Sequence, residues 1–168
     1  MFIRAVLILL VLLAVAVLET TIGPAFGIFG VGPDIVLVMV VSWGLLRGSE
    51  EGMLWGLLGG LCLDLLSGSA MGMHTLILIV VGYLAGLAPR SPLRSGLLLP
   101  VAAICAATLA YDVTIALVLR VTGWQLAVAP ALAQVAVPSM LTNSVLMLIV
   151  YPVVSRLFAT GSGLRPEF

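Results

Sequence analysis

The sequence predicts an all-α integral membrane protein, a bundle of about six transmembrane helices. Of its 168 residues, 62% are hydrophobic and only 8% are charged, whereas a soluble domain carries about 25% charged residues. Six apolar runs approach the roughly 20 residues that a helix needs to cross the apolar core of a bilayer. The runs cover residues 1–21, 33–46, 52–66, 73–88, 95–119 and 131–158.

The first three runs end at polar or glycine-rich segments. The first ends at Glu19, before a loop of glycine and proline at residues 23–27. The second stops at the charged segment 47–51, and the third runs into the glycine- and serine-rich turn 67–72. The second and third runs are short for a full crossing, so a re-entrant pair is the alternative. We expect two crossings, because flanking residues extend both runs and a bilayer tolerates some mismatch in length.

Prolines mark the boundaries of the last three runs. Pro89 and Pro92 close the fourth run, because proline lacks the backbone donor that a continuing helix requires. Pro100 lies in the first turn of the fifth run, where proline is tolerated. The sixth run holds Pro138 near its start and Pro152 near its end.

The arginines predict the orientation of the bundle. The chain has no lysine, and its seven arginines balance seven acidic residues. If the N-terminus is cytoplasmic, six crossings leave only Arg120 outside. The other arginines are then cytoplasmic, namely Arg4, Arg47, Arg90, Arg94, Arg156 and Arg165. Short basic loops usually lie on the cytoplasmic side. We therefore expect a multi-pass protein with both termini in the cytoplasm, one helical domain over residues 1–160 and a short tail over 161–168.

Several classes of function lack support in the sequence. A net charge of zero argues against a nucleic-acid binder, which needs a basic surface. Cys62 and Cys105 lie in apolar runs without the spacing of a zinc site or a disulfide framework. No catalytic motif is present, so we expect no enzyme and no cofactor. A general acid–base pair of Asp64 and Asp112 is the enzymatic alternative, and nothing beyond their charge supports it.

With this orientation, the polar residues of the membrane region fall in the outer half, namely Glu19, Asp34, Asp64, His74 and Asp112. Asp34 follows Pro33 at a helix start, so we expect its carboxylate to cap free N–H groups. Glu19 ends a helix, and we expect it to be solvated. His74 is expected to be an interfacial polar residue. Apolar residues flank Asp64 and Asp112, which predicts that these two contact a partner, pair within the bundle or line a pocket.

Small residues predict where helices pack. Gly52, Gly56 and Gly60 recur every four residues, and Asp64 is the next step of that row. Rows of small residues mark close helix contacts in membranes, so Asp64 is expected to face protein. Gly68 and Gly72 follow in the turn. Asn143, with Gln134 before it, is a candidate for a hydrogen bond between helices.

The middle third of the chain carries a recognisable pattern in the segments 33–37, 47–48, 59–74 and 81–86. Its most recognisable part is a glycine-rich helix followed by Asp64, two apolar residues, Ser67, Gly68 and Gly72. With this pattern, the middle third of the chain resembles the MreD family of rod shape-determining proteins. The last two helices match the family only in hydropathy.

The resemblance implies a non-enzymatic scaffold of the bacterial inner membrane in the elongasome. It implies binding to MreC, mostly indirect association with MreB, RodA and a class B penicillin-binding protein, and support of side-wall peptidoglycan synthesis and rod shape. A second copy of the chain is a possible partner. The candidate contact residues, for a partner or within the bundle, are Asp64, Ser67, Gly68, Gly72, Gly52, Gly56, Gly60, Asp34 and Asp112.

The family is also similar in fold to the substrate-binding S components of energy-coupling-factor transporters. This similarity implies an alternative function, uptake of a vitamin or a metal. That alternative predicts a small molecule bound near Asp64 and Asp112, and a docking face for a cytoplasmic coupling subunit.

Overall fold

A computed structural model describes residues 2–22, 31–68, 71–88, 97–124 and 128–161, and this part of the chain folds into six α-helices. They are α1 Phe2–Ile22, α2 Ile35–Arg47, α3 Ser49–Ser67, α4 Met73–Leu87, α5 Leu98–Val121 and α6 Val128–Gly161. Each helix overlaps one of the six apolar runs, so the all-helical class is confirmed. The loops expected at 23–27 and 89–92, and the tail after residue 161, lie outside the described residues.

The lengths of the helices differ. By length and composition, two segments are long and apolar enough to cross a membrane, at Leu98–Val121 and Leu132–Arg156. Helix α3 begins at Ser49 rather than at residue 52, because Glu50 and Glu51 form its first turn, where acidic side chains interact favourably with the helix dipole. Helix α2 has 13 residues and is roughly 20 Å long.

Large apolar side chains cover much of the surface of the described part. Leu76 is 67% exposed, Leu98 is 77% exposed and Val121 is 87% exposed. A soluble monomer rarely exposes extended apolar patches, whereas lipid tails solvate such side chains. The surface therefore fits a membrane environment.

Helix α2 lies at the centre of the bundle and contacts each of the other five helices. Its buried residues occur on every side of the helix, namely Val36, Leu37, Val38, Val40, Val41, Ser42, Gly44 and Leu45. A helix that is apolar all round belongs in a core, which explains the unbroken apolar sequence of this segment. Gly48 alone joins α2 to α3, with a φ of 99° that favours glycine.

The closest helix pair is α3 with α4, and the glycine row lies in their contact. A Cβ atom built at Gly52, Gly56 or Gly60 would collide with the backbone of α4 at Gly82, Leu78 and Thr75, respectively. The helices therefore touch backbone to backbone along the row, as the four-residue spacing predicts. Because α4 occupies this row, the three glycines are not available to another helix.

Candidate functional site

The turn between α3 and α4 is held by one buried carboxylate. Asp64, in the last turn of α3, is only 4% exposed. Its Oδ1 accepts a hydrogen bond from the His74 N–H at 2.9 Å. Its Oδ2 accepts from the N–H groups of Gly72 at 2.9 Å and Thr75 at 3.2 Å, and from the Thr75 hydroxyl. A side chain of α3 thus satisfies the free N–H groups that begin α4, at the positive end of its dipole.

Two glycines make this capping possible. Gly68 ends α3 with a φ of 64°, and Gly72 precedes α4 with a φ of 93°; both values are in the left-handed region that favours glycine. Ser67, the last residue of α3, is exposed. Met71, beside Gly72, is 74% exposed. The turn therefore combines a buried polar anchor with an exposed apolar tip, while residues 69–70 lie outside the described part.

A second polar centre joins α2, α5 and α6 through Asn143. The side-chain Oδ1 of Asn143 accepts from the Asp34 N–H at 2.8 Å, and its Nδ2 donates to Asp34 Oδ2 at 2.7 Å. Nδ2 also donates to the Thr108 hydroxyl at 3.0 Å. Asn143 and Thr108 are fully buried, so this amide connects three helices inside the bundle. The expected hydrogen bond of Asn143 between helices is present.

Two expectations about this region are wrong. Asp34 occupies the N-cap position of α2, but its side chain makes no capping hydrogen bond, because its carboxylate is bound by Asn143 instead. Glu19 of α1 provides a cap, accepting from the Val36 N–H at 2.8 Å. Glu19 is therefore not simply solvated, since the end of α1 packs beside the start of α2 and brings the carboxylate to free backbone donors.

The remaining carboxylate, Asp112, lies in a cleft of about 460 Å³. The polar side chains that line this acidic cleft are Glu19, Asp34, Tyr111, Asp112 and Ser139, and its other lining residues are Val31, Gly32, Pro33, Ile115 and Val135. Asp112 Oδ2 is buried without a hydrogen-bond partner. Asp64 does not line the cleft. A single pocket around Asp64 and Asp112 is therefore not present in the described part of the chain.

His74 and Tyr111 connect the two regions. The Tyr111 hydroxyl lies 3.4 Å from His74 Nδ1, and the two rings stack with their centroids 5.9 Å apart. Tyr111 faces the acidic cleft, while the backbone of His74 is bound to Asp64. His74 therefore packs against a neighbouring helix, and its place at the membrane interface stays a prediction.

A family model, that of rod shape-determining protein MreD, matches residues 1–160. The chain belongs to the MreD family. Comparisons with curated proteins and with solved structures find no match. MreD is a family of membrane proteins with a role in determining rod shape, and it is not a known enzyme family.

The segments that carry the MreD resemblance belong to α2, α3, α4 and the described residues beside the ends of these helices. The segment 33–37 supplies the start of α2, where Glu19 and Asn143 bind. The described residues of the segment 59–74 form the end of α3, the start of α4 and the residues beside these two helix ends. Gly82, within the segment 81–86, faces Gly52 across the α3–α4 contact. The most recognisable MreD sequence pattern is thus the pattern that closes this helix pair.

The chemistry of these MreD sites is that of carboxylates, hydroxyls and one amide. Within the described residues, no group of three histidine, cysteine, aspartate or glutamate side chains could hold a metal ion. Cys62 is buried, and Cys105 Sγ lies 3.2 Å from the Ser144 hydroxyl. The sites can therefore bind backbone donors, or a ligand that donates hydrogen bonds.

Three polar residues of the acidic cleft and its surroundings were not predicted from the sequence, namely Thr108, Tyr111 and Ser139. A signal was available in their spacing, since Thr108 and Asp112 are four residues apart on α5, as are Ser139 and Asn143 on α6. Residues with this spacing lie on one face of a helix. Two polar faces on otherwise apolar helices are a sign that the helices meet there.

Proposed function

We propose that this MreD protein is a non-enzymatic scaffold of the bacterial inner membrane that binds MreC and supports side-wall peptidoglycan synthesis. The observation that carries the proposal is the family match over residues 1–160. In this proposal the chain crosses the membrane six times with both termini in the cytoplasm. Its connections to MreB, RodA and the class B penicillin-binding protein are mostly indirect.

The proposed contact for MreC is the turn between α3 and α4. In the proposed topology this turn faces the periplasm, where a partner emerges from the bilayer. Four hydrogen bonds to Asp64 fix its geometry, and Met71 presents an exposed apolar side chain at its tip. An exposed apolar group on a preorganised turn binds at a low entropic cost, which supports its use as a docking point.

Co-purification of MreC with tagged MreD tests this contact. Met71→Asp should reduce the recovered MreC at least several-fold without changing the thermal stability of MreD, because the side chain makes little contact within the fold. Trp124→Asp is the matched control, since Trp124 is 66% exposed in the turn after α5, on the same side in this topology. Gly56→Leu and Asp64→Ala, which disturb the helix pair and the turn, should each lower recovery as well. Full recovery with all three turn and helix-pair variants would remove the assignment.

A second candidate function is S-component-like uptake of a small molecule. The acidic cleft is the observation that favours it, because a partly polar cleft of about 460 Å³ is in the size range of ligand sites. Mass spectrometry of gently purified protein separates the two functions. A stoichiometric vitamin or metal supports uptake, and protein that is empty but retains MreC supports the scaffold.

A further inference from the structure

The acidic cleft brings three carboxylates together without a basic partner. Glu19, Asp34 and Asp112 line it, and no arginine or histidine is among its lining residues in the described part of the chain. Carboxylates removed from bulk water are costly unless they are neutralised by protons or paired with a cation. The described lining of the cleft therefore supplies no positive charge to balance these carboxylates.

Two side chains of the cleft keep unused hydrogen-bonding capacity. Glu19 and Asp34 are bound by Val36 and Asn143, but Asp112 Oδ2 is buried with no partner. Ser139 lines the same cleft from α6 and is only 1% exposed. Its hydroxyl makes no hydrogen bond within the described residues. A buried carboxylate oxygen without a partner is rare in folded proteins, so Asp112 Oδ2 points to a donor supplied by a ligand, and the Ser139 hydroxyl is placed to accept a second hydrogen bond from it.

We propose that the acidic cleft binds the ammonium group of an organic amine, with Asp112 as its ionic partner and Ser139 as a hydrogen-bond acceptor. A bare metal ion fits less well, because Glu19, Asp34 and Asp112 line the same cleft but do not form a group that could hold a metal ion. Val31, Ile115 and Val135 line the rest of the cleft, and they suit an apolar body attached to the ammonium. The inference rests on the cleft alone and not on binding of MreC.

The amine has two possible sources, a free molecule or the headgroup of an aminophospholipid, and the test has one arm for each. Purified full-length protein is titrated with 2-phenylethylamine and with 2-phenylethanol, which lacks the ammonium, and binding is measured by thermal shift. In the second arm, native mass spectrometry compares retention of phosphatidylethanolamine with that of phosphatidylglycerol. Binding of the free amine identifies a soluble ligand, and preferential retention of phosphatidylethanolamine alone identifies a lipid headgroup.

Variants tie the binding to the cleft. Asp112→Asn should weaken binding of the amine about tenfold, equivalent to about 1.4 kcal/mol, and Ser139→Ala should weaken it several-fold. Glu50→Gln is the control, since Glu50 is an exposed carboxylate of α3 outside the cleft, and it should bind like the wild type. If Asp112→Asn fails to fold, Ser139→Ala carries the test.

Three outcomes would overturn the proposal. The first is that the amine and the alcohol bind equally and phosphatidylethanolamine is not retained in preference to phosphatidylglycerol. The second is that the folded cleft variants bind as the wild type does, and the third is that nothing binds in either arm. Recovery of MreC should be independent of Asp112→Asn, so failure of this proposal is distinguishable from failure of the scaffold function.

Discussion

Replacement of Asp64 tests whether one carboxylate holds the turn between α3 and α4. Asp64→Ala removes the acceptor of three backbone N–H groups and of the Thr75 hydroxyl. The alanine leaves the start of α4 without a cap and without the negative charge that favours its dipole. Because the α3–α4 pair is the most closely packed part of the fold, loosening the turn should lower the stability of the whole bundle.

The size of the effect follows from the four hydrogen bonds. A hydrogen bond to a charged group contributes about 1.5–3 kcal/mol, and water at the exposed turn recovers part of the loss, so we expect Asp64→Ala to cost about 4 kcal/mol. Asp64→Asn keeps one acceptor oxygen but turns an amide toward backbone donors, and should cost about 2–3 kcal/mol. Thr75→Val removes one donor of the four and should cost about 1 kcal/mol.

Thermal unfolding in mild detergent, followed by circular dichroism, measures these differences. For a chain of this size, 1 kcal/mol shifts the midpoint by about 2–4 °C, so Asp64→Ala should lower Tm by roughly 8–16 °C and Thr75→Val by roughly 2–4 °C. Glu50→Gln, at the opposite end of α3, should leave Tm nearly unchanged. If Asp64→Ala were no more destabilising than Thr75→Val, the carboxylate would not be the anchor of the turn.

Two further predictions concern helix packing and the Asn143 centre. Gly56→Ala should lower stability by about 1–2 kcal/mol, since overpacking against the Leu78 backbone outweighs the roughly 1 kcal/mol gained in helix propensity. In Gly59→Ala the new Cβ would meet side chains and no backbone, with Val36 nearest at 2.7 Å. Side chains can shift more easily than backbone, so Gly59→Ala should cost less than Gly56→Ala, and equal Tm values for the two would contradict the backbone contact. Asn143→Leu should lower the free energy of unfolding by about 3 kcal/mol, because it leaves Asp34 and Thr108 without partners. The same thermal unfolding measures this loss. A stability equal to that of the wild type would show that water replaces the amide.

Local patterns in the sequence predict the helices and the glycine contact, but not which helix end meets which. The four-residue spacing of Gly52, Gly56 and Gly60 is a property of one helix, and it correctly predicts a close contact on that face. The role of Glu19 depends instead on how the end of α1 packs beside the start of α2. An aspartate just before the first residue of a helix is a common N-cap, but this rule fails for Asp34, because the buried amide of Asn143 in α6 binds the same carboxylate.

The sequence could not predict which residues share the acidic cleft, because this too depends on how different helices pack. Asp112, Ser139 and Glu19 come from three helices, and no spacing in the sequence relates them. Hydropathy places each of them only in depth along its own helix, and on that basis the uptake alternative predicted a small molecule bound near both Asp64 and Asp112. The packing separates these two residues, with His74 and Tyr111 between them, because the Asp64 carboxylate is turned toward the start of α4.

Glu19 of α1 and Asp64 of α3 follow a common rule, and Asp112 of α5 departs from it. Glu19 in the last turn of α1 binds a free N–H at the start of α2, and Asp64 in the last turn of α3 does the same for α4. Each acid therefore stabilises the helix that follows its own, where the dipole favours a negative charge. Asp112 lies more than two turns before the end of α5, too deep to reach the start of α6. Of the three acids, it is the one whose cost of burial no backbone donor offsets, and this singles it out as the group to which an external cation would bind.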